Sequence, residues 1–308
     1  MKRVLTLLIL ASVSLSSYAQ GAVMDFIHAE RNPATLATAG AGYASLVSGT
    51  ALSALGNPAQ VALAKHTLDA AGTFNLVPAG DSWNMVYGGG ASIKLGKFGL
   101  SLAYIGGKYP EIQLSSEGGG ASGRFSPNDM TIGFGLSYAI GDFLSLGALG
   151  RYASSALDAK TTLKSLSADV SVLFRKDALS VSAGVIALGP KVESVSNKKY
   201  SLPSSARLAA AYELGFGDFC VDILADADYY FNRNISAAAG VQGSYKDMVF
   251  LRTGYRYSTS RDFFAAAPVP SYFSAGAGVK FFGAKLDFAA AFASVTGCTL
   301  ALSLGYSF

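Results

Sequence analysis

Two short stretches gather the side chains best able to do chemistry. In residues 219–231, "FCVDILADADYYF", the carboxylates Asp222, Asp226 and Asp228 fall at even spacings. In residues 248–258, "MVFLRTGYRYS", the guanidiniums Arg252 and Arg256 do the same. Arg207, Asp287, Asp169, Arg151 and Arg175 lie in similar runs. Buried charges need partners, so this set can be a structural network of ion pairs. Lining an interior passage, the same set makes a polar permeation path or a ligand site.

Other chemistry finds little support. His28 and His66 are the two histidines, and both precede the patterned region. A hydrolase built on histidine needs a nucleophile or an acid in reach of the imidazole. No cluster has metal-ligand spacing. The triplet Gly118-Gly119-Gly120 lacks the strand–helix context of a phosphate cradle. The expectation is a protein without enzymatic activity, metal or cofactor.

An even spacing is the period of a strand, and composition says where such strands lie. Hydrophobic residues make up 51% of the 308 and charged residues 14%, against about 25% charged in soluble domains. Glycine is abundant, at 35 residues. The best helical candidate for a span, 286–308, contains Asp287, two glycines and scattered Ser and Thr. A spanning helix needs roughly 20 mainly apolar residues, so the remaining backbone solution in lipid is a closed β-barrel.

The N-terminus indicates export. Lys2 and Arg3 precede an apolar run from Val4 to Val13 and then Ser17-Tyr18-Ala19, the pattern of a Sec signal peptide cleaved after Ala19. Loss of Lys2 and Arg3 lowers a formal charge of only +4, too little to argue for nucleic acid as a partner.

Residues 67–308 read as fourteen alternating runs: 67–78, 82–95, 97–109, 129–140, 143–154, 165–175, 178–189, 203–214, 218–231, 235–245, 248–258, 271–282, 284–294 and 297–308. Connections after even-numbered runs are all tight. Those after odd-numbered runs include the long ones, 110–128, 155–164, 190–202 and 259–270. Outer-membrane barrels have short periplasmic turns, longer extracellular loops and an even strand number. The expected fold is therefore all-β: a 14-stranded antiparallel transmembrane barrel, in the outer membrane, with both termini on the periplasmic side.

Energy assigns the faces. Arg or Lys pointing into lipid costs roughly 2–4 kcal/mol at the midplane, and a one-residue slip flips every side chain. Flipping runs 218–231 and 248–258 costs on the order of 10 kcal/mol. The large apolar residues should face lipid, and the Gly, Ala, Ser and charged set the lumen. Cys220 and Cys298 then fall near opposite rims, beyond disulfide reach. The final run, "TLALSLGYSF", ends on Tyr306 and Phe308; it should close the barrel against the first strand, and it resembles the sorting signal read by the barrel assembly machinery. Residues 20–66 are Ala- and Gly-rich, with helix-compatible pieces such as Pro58–Lys65 opened by a capping Asn57. Something must fill the lumen, and this segment is expected to fold inside it as a plug. The organisation read from sequence is thus 1–19 leader, 20–66 plug and 67–308 barrel.

The motifs resemble a known group. Gly40-Ala41-Gly42, followed by Ala54-Leu55-Gly56-Asn57-Pro58-Ala59, resembles the N-terminal signature of FadL-like outer-membrane barrels. With Leu202-Pro203 ahead of Arg207, Leu251-Arg252-Thr253-Gly254-Tyr255, and Ser274–Gly278 followed by Asp287, the chain looks most like the PorV/PorQ family of Bacteroidetes. That resemblance implies a 14-stranded barrel with an N-terminal plug, and two different jobs. PorV/PorQ-like proteins are platforms or accessories for a surface or secreted protein partner in type IX secretion. FadL relatives are passive conduits for hydrophobic small molecules. A platform should show a sticky extracellular rim, here around Phe263, Phe264 and Tyr272; a conduit should show an apolar path and a lateral gap in the wall. Outer-membrane lipid and lipopolysaccharide are expected neighbours in either case.

Overall fold

A computed structural model describes residues 23–46, 50–115, 121–158, 161–193, 198–231, 234–259, 270–293 and 297–308. The expected leader at 1–19, the glycine triplet at 118–120, and Phe263 and Phe264 lie outside the described residues.

The chain forms a closed barrel of fourteen antiparallel strands. They are β1 (Leu68–Ala79), β2 (Ser82–Leu95), β3 (Phe98–Lys108), β4 (Asn128–Ile140), β5 (Leu144–Ala156), β6 (Thr162–Lys176) and β7 (Leu179–Leu188). The second half is β8 (Ser205–Phe216), β9 (Phe219–Tyr230), β10 (Ile235–Tyr245), β11 (Val249–Ser258), β12 (Tyr272–Phe281), β13 (Ala284–Ala293) and β14 (Gly297–Ser307). Each matches an alternating run of the sequence within a few residues. Closure is made by β1 against β14, from Asp69↔Ser307 to Leu76↔Leu300. Among the described residues, no helix is long and apolar enough to cross a membrane.

Two features depart from the sequence reading. The connections at 110–128 and 190–202 contain short hairpins, Ile112–Ser115 with Ala121–Phe125 and Val192–Glu193 with Lys199–Tyr200. Strands of two to five residues are too short to establish a period. Large apolar side chains also point inward: Leu149, Leu163, Leu173, Leu224 and Phe250 are buried. Leu163, Leu173 and Leu224 join Met24, Ile27 and Tyr43 of the N-terminal segment in one apolar cluster. The segment inside the barrel presents apolar surface, and the wall answers it.

Elsewhere the alternation holds. Phe134, Leu136 and Tyr138 of β4 are exposed while Thr131 and Ser137 are buried. Exposed aromatics pair at the short-turn rim: Phe98 with Tyr138, Phe219 with Tyr245, and Tyr306 with Phe308, at centroid distances of 5.0, 4.8 and 4.5 Å. Rings that are amphipathic or flat suit a membrane interface. Phe308 belongs to this girdle, and its backbone is tied to the start of β1: Thr67 N–H donates to the Phe308 carbonyl and Phe308 N–H to that of Leu68, both at 2.8 Å. The C-terminus is part of the seam. Cys220 and Cys298 are free thiols, one beside the short turn between β8 and β9 and one at the opposite, long-loop end of β14.

Ile223, outward on the middle of β9 and 49% exposed, tests the lipid-facing assignment. Ile223→Arg should lower the unfolding free energy of the lipid-reconstituted barrel by about 2–4 kcal/mol, while Ile223→Leu leaves it unchanged. Equal denaturant midpoints for the two variants would show that this face does not meet hydrocarbon.

Candidate functional site

The interior is organised by two capped turns in the N-terminal segment. Asn57 is extended, and its side-chain oxygen accepts the Ala59 N–H at 3.1 Å, with Pro58 opening the 3-10 turn Pro58–Leu63. A short polar residue satisfies the free N–H groups of such a turn, and proline needs no hydrogen bond at its first position. The same device occurs earlier: Asn32 caps Ala34 at 3.1 Å and Pro33 opens the helical turn Pro33–Leu36. Sequence reading singled out only the second. The identical tripeptides Asn32-Pro33-Ala34 and Asn57-Pro58-Ala59 were the signal that finds the first. The first turn rests on β12, β13 and β14, the second on β2 to β6, so they grip separate arcs of the wall.

Residues 39–45 join the two. The Asn57 amide donates to the Tyr43 carbonyl at 2.5 Å and to Ser182 Oγ at 2.9 Å. The Gln60 amide donates to the carbonyls of Gly42, Tyr43 and Ser45 at 3.1, 3.1 and 2.8 Å. Gly40 has φ +78°, a conformation that favours glycine. The wall is small where it meets this backbone: a Cβ on Gly147 would collide with the backbone of Pro58 and Ala59, and one on Gly254 with that of Thr38 and Ala39.

The charged side chains singled out from sequence fall into four ion-paired groups and the separate Asp226. Asp228 accepts from Arg207, and from Arg256 at 3.0 Å; Arg256 Nε also donates to the Ala39 carbonyl at 2.8 Å. Arg252 pairs with Asp287 at 2.8 Å and reaches Asp222 through Gln242, whose amide donates to the Asp222 carboxylate at 2.8 Å. Asp226 forms no ion pair among the described residues; its two oxygens accept the backbone N–H groups of Gly42 and Tyr43, each at 3.2 Å. Arg151 bridges Asp169 at 2.5 Å and the Leu55 carbonyl at 2.8 Å. Arg175 is half-buried and lies 3.8 Å from Glu213. Charges of the wall therefore clasp the N-terminal segment as well as one another. Tyr306 and Phe308 are remote from this interior, on the outer face. Tyr272 is buried, 6% exposed, so it contributes no sticky rim. It turns into the lumen with the inward set of β12.

A cavity of about 90 Å³ lies within the half of the lumen nearer the long loops. Phe26, Ile27, Leu52, Leu55, Ile105 and Ile186 give it an apolar lining, and Arg31, Arg151 and Gln60 a polar one. It abuts an irregularity in the wall. β6 and β7 pair Ala168↔Leu188 and then Val170↔Val185, so Asp169 faces both Ile186 and Ala187, two residues against one, which is a β-bulge. Ala187 is fully buried with φ +57°, a position that costs an alanine on the order of 1–3 kcal/mol. Its N–H donates to Asp169 at 2.7 Å and its carbonyl accepts from Ser204 Oγ at 2.6 Å. Above the bulge, residues 162–167 of β6 extend beyond the end of β7 and have no partner on it.

No family model and no curated protein matches this chain. Solved structures do. The toluene transporter TodX of P. putida superposes with a TM-score of 0.64 at 12% identity, over 92% of this chain and 99% of that one. A FadL homologue of Pseudomonas aeruginosa gives 0.57 at 12% identity, over 90% and 98%. At this identity the likeness establishes the fold: this chain has the architecture of FadL-type outer-membrane barrels over nearly its whole length.

The long-loop end holds two groups with opposed titrations. His28 is pushed down to about 3 by burial and by the charge of Arg207; its Nε2–H donates to the Pro203 carbonyl at 2.6 Å. Burial raises Asp25 to about 6. Between 6.5 and about 3 the unfolded chain holds the extra proton of His28, so stability falls as pH drops through that window. Asp25 acts in reverse: between 3.8 and about 6 the folded chain holds the extra proton, so stability falls as pH rises. The two slopes oppose each other in the shared range. In Asp25→Asn the His28 slope should stand alone, and hydrogen-exchange protection of amides in 23–31 should climb from pH 4 to 6.5. A flat profile in that variant would contradict a neutral buried imidazole.

Proposed function

We propose that this chain is a passive conduit for small hydrophobic molecules across the outer membrane. The carrying observation is the apolar cavity set against the β6–β7 bulge, where Ile186 belongs to both. A filled lumen with an interrupted wall suits lateral passage better than an open aqueous pore. The structural likeness to TodX, described as a toluene transporter, and to a FadL homologue supports the same reading. The outward apolar belt and aromatic girdle place the barrel in lipid, and the reading assigns it no enzymatic step. A PorV/PorQ-like platform draws less support, because Tyr272 of the expected rim is buried.

Ile105 points into the cavity from β3. Cells producing the wild-type barrel should take up radiolabelled toluene several-fold faster than cells lacking it. Ile105→Trp, which fills the cavity, should return uptake to background while heat-modifiable migration stays native. Equal uptake by all three strains, with a stoichiometric secreted protein copurifying in mild detergent, would replace the conduit with the platform.

A further inference from the structure

We infer that the outer wall of β3 to β6 binds a glycolipid phosphorylated at both ends of its headgroup, of the lipopolysaccharide type, with Lys108 and Lys164 each holding one phosphate. This surface lies outside the lumen and does not depend on the conduit. Its character changes within four residues. Tyr104, Ile132, Tyr152 and Leu166 are register partners across the four strands, and Tyr104, Ile132 and Leu166 are exposed. Four residues nearer the long loops the partners are Lys108, Asn128, Ala156 and Thr162. Lys164 lies in the row between, opposite Ser154. Both lysines are exposed. They sit an even number of residues from Tyr104 and Leu166, so they share the outward face.

The level is that of lipid headgroups. A Cβ on Gly106 would meet the Tyr104 hydroxyl, so this ring stands with its apolar body toward the middle of the barrel and its polar tip toward the long-loop rim. Tyrosine takes that posture at a membrane interface. Gly106, Met130, Ser154 and Lys164 form one row, and Lys108 is two residues beyond it. Both ammonium groups therefore fall just outside the hydrocarbon. The long-loop end of such barrels faces the cell exterior, which puts these lysines in the outer leaflet.

Charge and spacing decide which lipid. The carboxylates of β3 to β6, Asp129 and Asp169, belong to the inward set, so no acid on these strands answers the lysines. Among the described residues neither lysine forms an ion pair. The neighbouring acids of the loops are engaged: Glu111 lies 3.8 Å from Arg124, and Asp158 accepts the Thr161 N–H at 2.8 Å. The connection beside the end of β6 adds Lys191, Lys198 and Lys199 against Glu193. Lysine binds phosphate as a compact charge on a flexible stem. Lys108 and Lys164 stand three strand spacings apart, about 14 Å around the wall. One phosphate would need both side chains fully stretched toward each other. A disaccharide with a phosphate at each end meets each lysine where it stands, and its acyl chains would run down over Ile132, Leu166 and Val170, all exposed. Above the bulge β6 has no partner on β7, so no neighbouring strand crowds the headgroup beside Lys164.

The test titrates the purified full barrel in detergent with bisphosphoryl lipid A, monophosphoryl lipid A and phosphatidylglycerol, read by native mass spectrometry. Bisphosphoryl lipid A should bind at least tenfold tighter than either of the others. Lys108→Gln and Lys164→Gln should each weaken it several-fold, and the double variant should bring it level with monophosphoryl lipid A. Lys176→Gln, outward at the opposite rim, should leave binding unchanged, and heat-modifiable migration should stay native in every variant. Equal affinity for the three lipids in the wild type would overturn the site. So would a preference that survives the double substitution, or an equal loss in Lys176→Gln, which would mark a general attraction of the barrel for anionic lipid.

Discussion

In hydrocarbon an unpaired backbone N–H or C=O costs several kcal/mol, and the architecture follows from avoiding that loss. A sheet in lipid can have no free edge, so the last strand must find the first. β14 runs the length of β1 as far as Leu76, and the final residue is hydrogen-bonded across the seam. Closure then forces the alternation: each residue of a strand faces lipid or lumen, and charge can face only the lumen. The exception is informative. At the β6–β7 bulge the ladder is broken, and Asp169 takes up the Ala187 N–H that the ladder no longer pairs. The one wall carboxylate shared by a bulge and by an arginine reaching the N-terminal segment sits where the wall is least regular.

A closed ring of fourteen strands encloses more space than its inward side chains can fill, and the segment from Val23 to Ala64 solves that problem with backbone. Backbone brings polar groups with it, and the wall supplies their partners: Asp226 for two N–H groups, Arg256 for the Ala39 carbonyl, Ser274 for Ala39 N–H and the Ala37 carbonyl. Small wall residues such as Gly147 and Gly254 are the complement of this arrangement. Burial of ion pairs like Arg207–Asp228 adds little net stability by itself, yet breaking one member leaves an uncompensated charge. The network also ties the segment to the wall, through Arg256 at the Ala39 carbonyl and Arg151 at the Leu55 carbonyl.

Much of this was legible because the signal was long. Strands of ten or more residues with one face in lipid repeat their period often enough to be read, and Asp222, Asp226, Asp228, Arg252 and Arg256 mark the lumen face unambiguously. Asn57-Pro58-Ala59 could be read because its capping chemistry is local. What escaped notice depends on contacts distant in sequence. The inward leucines of β6 and β9 make sense only once Met24, Ile27 and Tyr43 lie beside them. The bulge at Ala187 has no glycine to announce it, since Asp169, eighteen residues away, supplies its compensation. Tyr272 was misplaced because a run that begins at a loop has no register until its partner strand is known.

The direction of the N-terminal segment has a consequence for how the molecule is built. Val23 N–H bonds to the Ser201 carbonyl, in the connection between β7 and β8, whereas Thr67 bonds to Phe308 at the opposite rim. The segment thus traverses the lumen from one mouth to the other before the first strand begins. Once β1 and β14 are zipped together, its N-terminal end could enter only by threading through the ring past the wall residues that hold it, such as Asp226, Arg256 and Arg151. An assembly in which the sheet curls around a segment already in place, with the seam as the last contact, is the route that avoids this threading.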